Sequence, residues 1–353
     1  MKSLHNRIDT NILKEKILAD KTPRVTLSFY QYYHLGNPHL FRDHLYILLS
    51  EIEVLGRIYV SYEGINAQIS VPEARIQALK TALQTITFLQ GIRLNFAIED
   101  DGKSFFKLII KVRHKIVADG LDDKTFDVTN KGIHLKAEEF NQLSDDPDTI
   151  IIDMRNHYES EVGYFKNAIL PDVETFREAL PVVEKMLENK KEKNIIMYCT
   201  GGIRCEKASA YYKHKGFRNV YQVEGGVIEY TRRANELGIE NKFIGKNFVF
   251  DERLGEKISD DIISKCHQCG SPCDTHVNCA NDACHILFIQ CPACGSKYEN
   301  TCSVKCQEFN QLPVDIKDSL KKTTTFNGTK FGKGRYKAHH KDMSLENILE
   351  HND

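Results

Sequence analysis

Charge of either sign is what this sequence has no surplus of: 48 Lys and Arg stand against 49 Asp and Glu in 353 residues, a formal net charge of −1. A uniformly basic protein is excluded, so any surface for a polyanion must come from local asymmetry. No run is long and apolar enough to span a bilayer, and the N-terminus lacks the pattern of a secretory leader. The expectation is a soluble, cytoplasmic protein with no membrane partner. A Gly-x-Gly-x-x-Gly dinucleotide fingerprint is missing as well. The length itself allows two or three domains, each with its own core.

Cysteine is present in excess, and in one place. Of 11 cysteines, nine fall between Cys266 and Cys306. Cys266 and Cys269 with Cys291 and Cys294 form two Cys-x-x-Cys knuckles about twenty residues apart, the spacing of a zinc ribbon. Cys273, Cys279, Cys284, Cys302 and Cys306 leave ligands for a second tetrahedral site, with His267, His276 and His285 competing for it. The pairing stays open at this level. A reducing compartment favours structural zinc, and a redox thiol array is the alternative.

Along the chain, a short amphipathic helix capped by Asp9 or Thr10 precedes Pro23. Periodicity then predicts strand 25–33, helix 38–54, strands 57–61 and 65–71 joined at Tyr62-Glu63-Gly64, helix 72–89 and strand 92–98. That β-α-β-β-α-β order is a ferredoxin-like α+β domain, here bounded at 1–118. Tyr30 and Tyr32 either stack RNA bases or pack on helices, and Asn66 and Gln68 sit where they could bear on substrate. A further strand, 105–117, carries Lys107, Lys111, Arg113 and Lys115 on one parity. Lys111, Arg113 and Lys115 are thus candidate RNA contacts, or lysines guarding an edge strand.

Residues 119–240 alternate strands (150–153, 194–198, 220–223) with helices, which implies a parallel sheet covered on both faces. Between strand Asn194–Tyr198 and the next helix lies Cys199-Thr200-Gly201-Gly202-Ile203-Arg204-Cys205. Two glycines let backbone N–H groups turn inward as a nest, and a helix N-terminus adds its dipole, so a thiolate at Cys199 is stabilised. Arg204 is expected to close the nest and hold an anionic substrate group. Cys205 should lie on the first helical turn facing elsewhere, leaving Cys199 to act alone. Residues 241–312 form the Cys-rich zinc-binding region. In 313–353, Lys317, Lys321, Lys322, Lys330, Lys333, Arg335, Lys337 and Lys341 predict a flexible basic tail, either binding RNA or merely solvated.

The spacing Cys199-x-x-x-x-Arg204 resembles the active-site loop of the rhodanese superfamily. Asp153-Met154-Arg155, Gly163 to Ala168 and Val223-Glu224-Gly225-Gly226 are similar to its other signatures, with Tyr164 in place of the usual His. Together with Glu63-Gly-Ile-Asn-Ala-Gln68, Gly245 to Arg253 and Cys266-His-Gln-Cys269, they resemble the rhodanese-related tRNA uridine hydroxylases. That resemblance implies an oxidoreductase making 5-hydroxyuridine at the wobble position (34) of tRNA, with Cys199 essential, Arg204 beside it, and Asp153 and Arg155 in support. It implies molecular oxygen as co-substrate and no flavin, haem or nicotinamide. The partner is tRNA at its anticodon region, with no protein partner expected. The residues alone fit equally a rhodanese-type sulfurtransferase carrying a persulfide on Cys199.

Overall fold

The computed structural model describes residues 9–100, 102–122, 125–321, 324–328, 334–338, 341, 342 and 344. Helix α1 (Thr10–Ala19) leads into β1 (Arg24–Tyr32), α2 (Pro38–Glu51), β2 (Leu55–Ser61), β3 (Gly64–Pro72), α3 (Ile76–Gln84), β4 (Asn95–Phe96) and β5 (Leu108–Val112). The sheet order is β4-β1-β3-β2-β5, antiparallel except for β2 with β5. Period-two alternation sorts its faces. Leu27, Phe29, Ile58, Val60, Ile65, Ala67 and Ile69 pack under Leu45 and Leu49 of α2 and Leu79 and Leu83 of α3. Ser28, Tyr30, Arg57, Tyr59, Asn66 and Gln68 leave from the helix-free face.

Three of the predicted elements are shorter than their periodicity. The helix expected over 72–89 breaks into a 3-10 turn (Glu73–Arg75), α3, and another 3-10 turn (Thr87–Leu89). Strand 92–98 pairs only at Asn95–Phe96, because the chain leaves β1 to donate Ile98 N–H to Glu256 at 3.1 Å. Strand 105–117 pairs only over β5, and Glu63 then captures Ile116 N–H at 2.6 Å.

The chain continues through β6 (Ile133–Leu135), α4 (Ala137–Ser144), β7 (Thr149–Asp153), α5 (His157–Ser160), β8 (Gly163–Phe165), α6 (Phe176–Met186), β9 (Asn194–Tyr198), α7 (Ile203–His214), β10 (Asn219–Val223) and α8 (Gly226–Leu237), and the second sheet takes all of these strands except β8. Strands β6-β10-β9-β7 are parallel, which requires helical crossovers and hence two covered faces. Ile152, Ile195 and Met197 meet α6 and α7, while Ile151, Ile196 and Tyr198 meet α4 and α8. Outside it, β11 (Phe243–Asn247) bridges β8 and β12 (Glu256–Lys257). A hairpin, β13 (His276–Asn278) and β14 (Leu287–Ile289), then precedes α9 (Pro292–Lys297), α10 (Val304–Gln311) and α11 (Val314–Leu320).

Beyond α11 the described residues are anchored, not the free tail expected from composition. Tyr336 stacks on His267 and Phe288 at 5.1 and 5.4 Å between centroids, Phe326 packs on Phe309, and Val304 N–H donates to Lys341 O at 2.9 Å. Aromatic burial holds these segments against the Cys-rich region, and Arg335 is paired with Asp172. Lys322, Lys330 and Lys333 lie outside the described residues.

One ion triad ties the two sheets together. Lys207 of α7 is 2% exposed, and its Nζ lies 2.5 Å from Glu63 and 2.9 Å from fully buried Asp119. Deleting one member of a buried ion cluster strands the others, at about 3–5 kcal/mol. Lys207→Met is therefore expected to lower stability by that order in urea unfolding, and Asp119→Asn comparably, because it takes a carboxylate from both Lys207 and Lys115.

Candidate active site

The loop after β9 forms because Gly202 adopts φ +95°, a left-handed conformation that lets its N–H turn back onto Cys199 Sγ at 3.2 Å. A side chain there would meet the Tyr30 hydroxyl at 2.8 Å. From below, the N-terminus of α8 caps the loop: Val227 and Ile228 N–H donate to the carbonyls of Cys199 and Thr200 at 3.0 and 3.2 Å. Gly226, at φ +69°, permits that approach, since a Cβ would lie 2.4 Å from Cys199 O.

Cys199 is fully buried in the side-chain sense, yet it lines a cavity of about 620 Å³. One wall is the loop itself. The opposite wall is the helix-free face of the first sheet, through Ser28, Tyr30, Asn66 and Gln68, and Phe250 and Arg253 close another side. Burial alone would raise the Cys199 thiol. The S–H of Cys205, the charge of Arg204 and the backbone N–H groups of Arg204 and Cys205 outweigh it and bring the thiol down to about 6. Cys205, by contrast, is pushed far up by burial and by the neighbouring Cys199 sulfur, so it stays a thiol. One helical turn returns it toward the active loop, where it is buried in the same cluster as Cys199 rather than facing elsewhere.

Arg204 lines the cavity, but its charge is already paired within the protein. Its guanidinium is bidentate to Glu159 at 2.6 and 2.7 Å, both groups buried, and Thr200 Oγ1 donates to the same carboxylate at 3.1 Å. Burial would raise the Glu159 carboxyl, but Arg204 holds it below the usual range. Asp153 and Arg155 form a second buried pair, with Tyr198 Oη donating to Asp153 at 2.8 Å and Arg155 donating to Gly163 O at 2.6 Å. That pair braces the strand end under the loop. Gly201 faces the cavity and Ile203 begins α7.

The predicted basic strand face keeps Lys111 and Arg113 and loses Lys115. Lys111 and Arg113 are exposed, and Arg113 lies over Tyr59, 5.7 Å from its centroid. Lys115 has turned inward, bonded to buried Asp119 and to Leu121 O at 2.6 Å each, because the strand ends at Val112. Sequence reasoning overlooked Glu159 as the partner of Arg204, and Arg57, Phe250 and Arg253 on the cavity wall. Only the Gly245 to Arg253 match pointed near the last two.

The cysteines separate into two quartets. Cys266, Cys269, Cys291 and Cys294 form one and Cys279, Cys284, Cys302 and Cys306 the other, each with all sulfurs within 4.8 Å. Cys273 belongs to neither; its Sγ accepts from Thr275 N–H at 3.5 Å instead. Donors already aim at the sulfurs, as thiolate ligands require: Cys291 N–H to Cys266, Cys302 N–H to Cys279, Gly328 N–H to Cys284 and Asn281 Nδ2 to Cys306, all at 3.3–3.4 Å. All-sulfur tetrahedra of this kind fit a metal ion such as structural zinc. Among the described residues no helix is long and apolar enough to cross a membrane.

Residues 24–116 match the UPF0176 acylphosphatase like domain, 136–233 the Rhodanese-like domain and 244–307 the Rhodanase C-terminal family. A Yersinia pestis protein named tRNA uridine(34) hydroxylase is 60% identical over 316 residues, 89% of each chain. Proteins of the same name from Pectobacterium atrosepticum and Photorhabdus laumondii are 57% and 54% identical over 91% and 96% of each chain.

Thiolate reactivity of Cys199 is expected above about pH 6, lost as pH falls through that value. Cys205→Ala removes a donor to the thiolate and should move the midpoint of iodoacetamide alkylation upward, whereas Cys205→Ser, which keeps an O–H, should leave it nearer the wild-type value. Equal midpoints in wild type and Cys205→Ala would mean that the two sulfurs do not interact.

Proposed function

The chain belongs to the tRNA uridine(34) hydroxylase family, and from that premise we propose that it hydroxylates the wobble uridine of tRNA to 5-hydroxyuridine, with Cys199 as the essential residue. The observation that carries this reading is a thiol of depressed pKa at the wall of a cavity large enough for an extruded nucleotide. A base is modified only after leaving its stack for such a pocket. Arg57 on the cavity wall, with Lys111 and Arg113 exposed beside Tyr59 of the same sheet, is suited to the phosphates of an anticodon loop. Molecular oxygen serves as oxidant: one atom goes to C5, and the other leaves as water with two protons and two electrons from a thiol-class reductant. Asp153 with Arg155, and Glu159 with Arg204, hold the loop's geometry and keep its charge balanced.

Each cysteine quartet is read as a structural zinc site that organises the chain after β12. The reaction belongs in the cytoplasm, where tRNA is. The nominal mass change on adding oxygen equals that on exchanging oxygen for sulfur, so isotope labelling decides between hydroxylase and sulfurtransferase. Under heavy oxygen, cells carrying the wild-type gene should label the wobble uridine. Cys199→Ser should abolish the label while leaving the thermal unfolding profile intact. A sulfur-containing base would favour the sulfurtransferase instead. For the metal, protein purified without added ions should carry about two zinc per chain, and Cys266→Ser should halve that count without removing the other site.

A further inference from the structure

On the sheet wall of the cavity, three polar groups form a chain with a fixed direction. Asn66 and Gln68 stand two residues apart on β3, so both side chains leave the same face, and both line the cavity that holds Cys199. Asn66 Nδ2 donates to the backbone carbonyl of Ile116 at 3.3 Å, and Gln68 Nε2 donates to Asn66 Oδ1 at 2.6 Å. A carbonyl only accepts, so Ile116 decides which end of the Asn66 amide faces it, and Asn66 then decides the same for Gln68. What remains is Gln68 Oε1, an acceptor with no donor among the described residues and not sealed inside the protein.

Uracil presents N3–H as a donor between two carbonyl oxygens, whereas cytosine presents N3 as a bare acceptor. We infer that Gln68, oriented by Asn66 and Ile116, is the residue that selects uracil over cytosine, accepting the N3–H of the base in the catalytic cavity. The inference rests on the hydroxylase reading and names how its site chooses its base. N3 lies across the ring from the C5–C6 edge, and Gln68 and Cys199 stand on cavity walls from different domains. A uracil reaching between them can offer one edge to each. Cytosine would oppose its N3 lone pair to Gln68 Oε1. Turning the Gln68 amide would relieve that clash only by setting its oxygen against Asn66 Oδ1.

Anticodon stem-loops carrying uridine, cytidine or 3-methyluridine at the target position test this on the full-length protein, by fluorescence anisotropy for binding and by nucleoside analysis for turnover. Wild type is expected to favour uridine over both other bases by about tenfold or more. Gln68→Met, similar in size but unable to accept, should erase most of the uridine-to-cytidine ratio. A ratio unchanged in Gln68→Met, or wild-type binding of 3-methyluridine as tight as of uridine, overturns the assignment; the second arm needs no variant to fold. Because binding requires no turnover, a Gln68-dependent uridine preference without hydroxylation would fault the reaction proposed above and leave the selection standing.

Discussion

A sulfur anion held out of bulk water is the constraint on which the rest of the site depends. Desolvation disfavours the charged form, so a thiol in this position would stay protonated unless fixed dipoles and charges reversed the balance. The loop supplies them in layers. Gly202 turns a backbone N–H onto Cys199 Sγ, α7 contributes its first N–H groups, and Cys205 offers an S–H that burial prevents from ionising. Arg204 adds a positive charge, but a lone buried guanidinium would be as costly as a lone thiolate, and Glu159 neutralises it. The conformation that brings these dipoles together needs positive φ at Gly202 and space beneath the loop at Gly226, which is why glycine is required at both.

The cavity is a consequence of how the two sheets are finished. The second sheet is parallel and covered by helices on both faces, so its reactive loop can only open at the strand ends. The first sheet carries helices on one face, and its other face has to be covered by something. Packing that face against the loop covers it without filling it, because Ser28, Asn66 and Gln68 are too short and polar to close the gap. The Lys207 triad and the Tyr30 bond to Glu206 at 3.2 Å hold the two walls in place. An acidic side chain from each domain shares one buried lysine, so the cavity's width is coupled to the docking of the domains.

Much of this was legible in the sequence because it is local. Periodicity located both sheets, the strand–loop–helix setting of Cys199 is written in consecutive residues, and the Cys-x-x-Cys knuckles announce a first sulfur quartet. The failures are all long-range. Arg204 reads as an unpaired cation until Glu159, 45 residues earlier, is seen to hold it. Lys115 belongs to a basic face only if the strand continues, and Asp119 ends that possibility by drawing it inward. Cys273 has as good a claim as Cys279 by spacing, and only the hairpin β13–β14 decides which sulfur reaches the cluster.

The basic segment after Pro313 makes the same point about charge. Its composition is that of a solvated end, yet its aromatic and amide residues are spent on the second quartet: Gly328 N–H and Asn327 Nδ2 reach Cys284 and Cys302, at 3.3 and 3.6 Å, and Tyr336 donates to Cys302 O at 3.2 Å. The two donors to sulfur are stronger when the sulfurs are anionic, which is the state a bound cation imposes on its ligands. The described residues of this segment are thus anchored at the second quartet rather than free in water. Net charge in a window says how a segment meets water; it does not say what its few apolar residues will find.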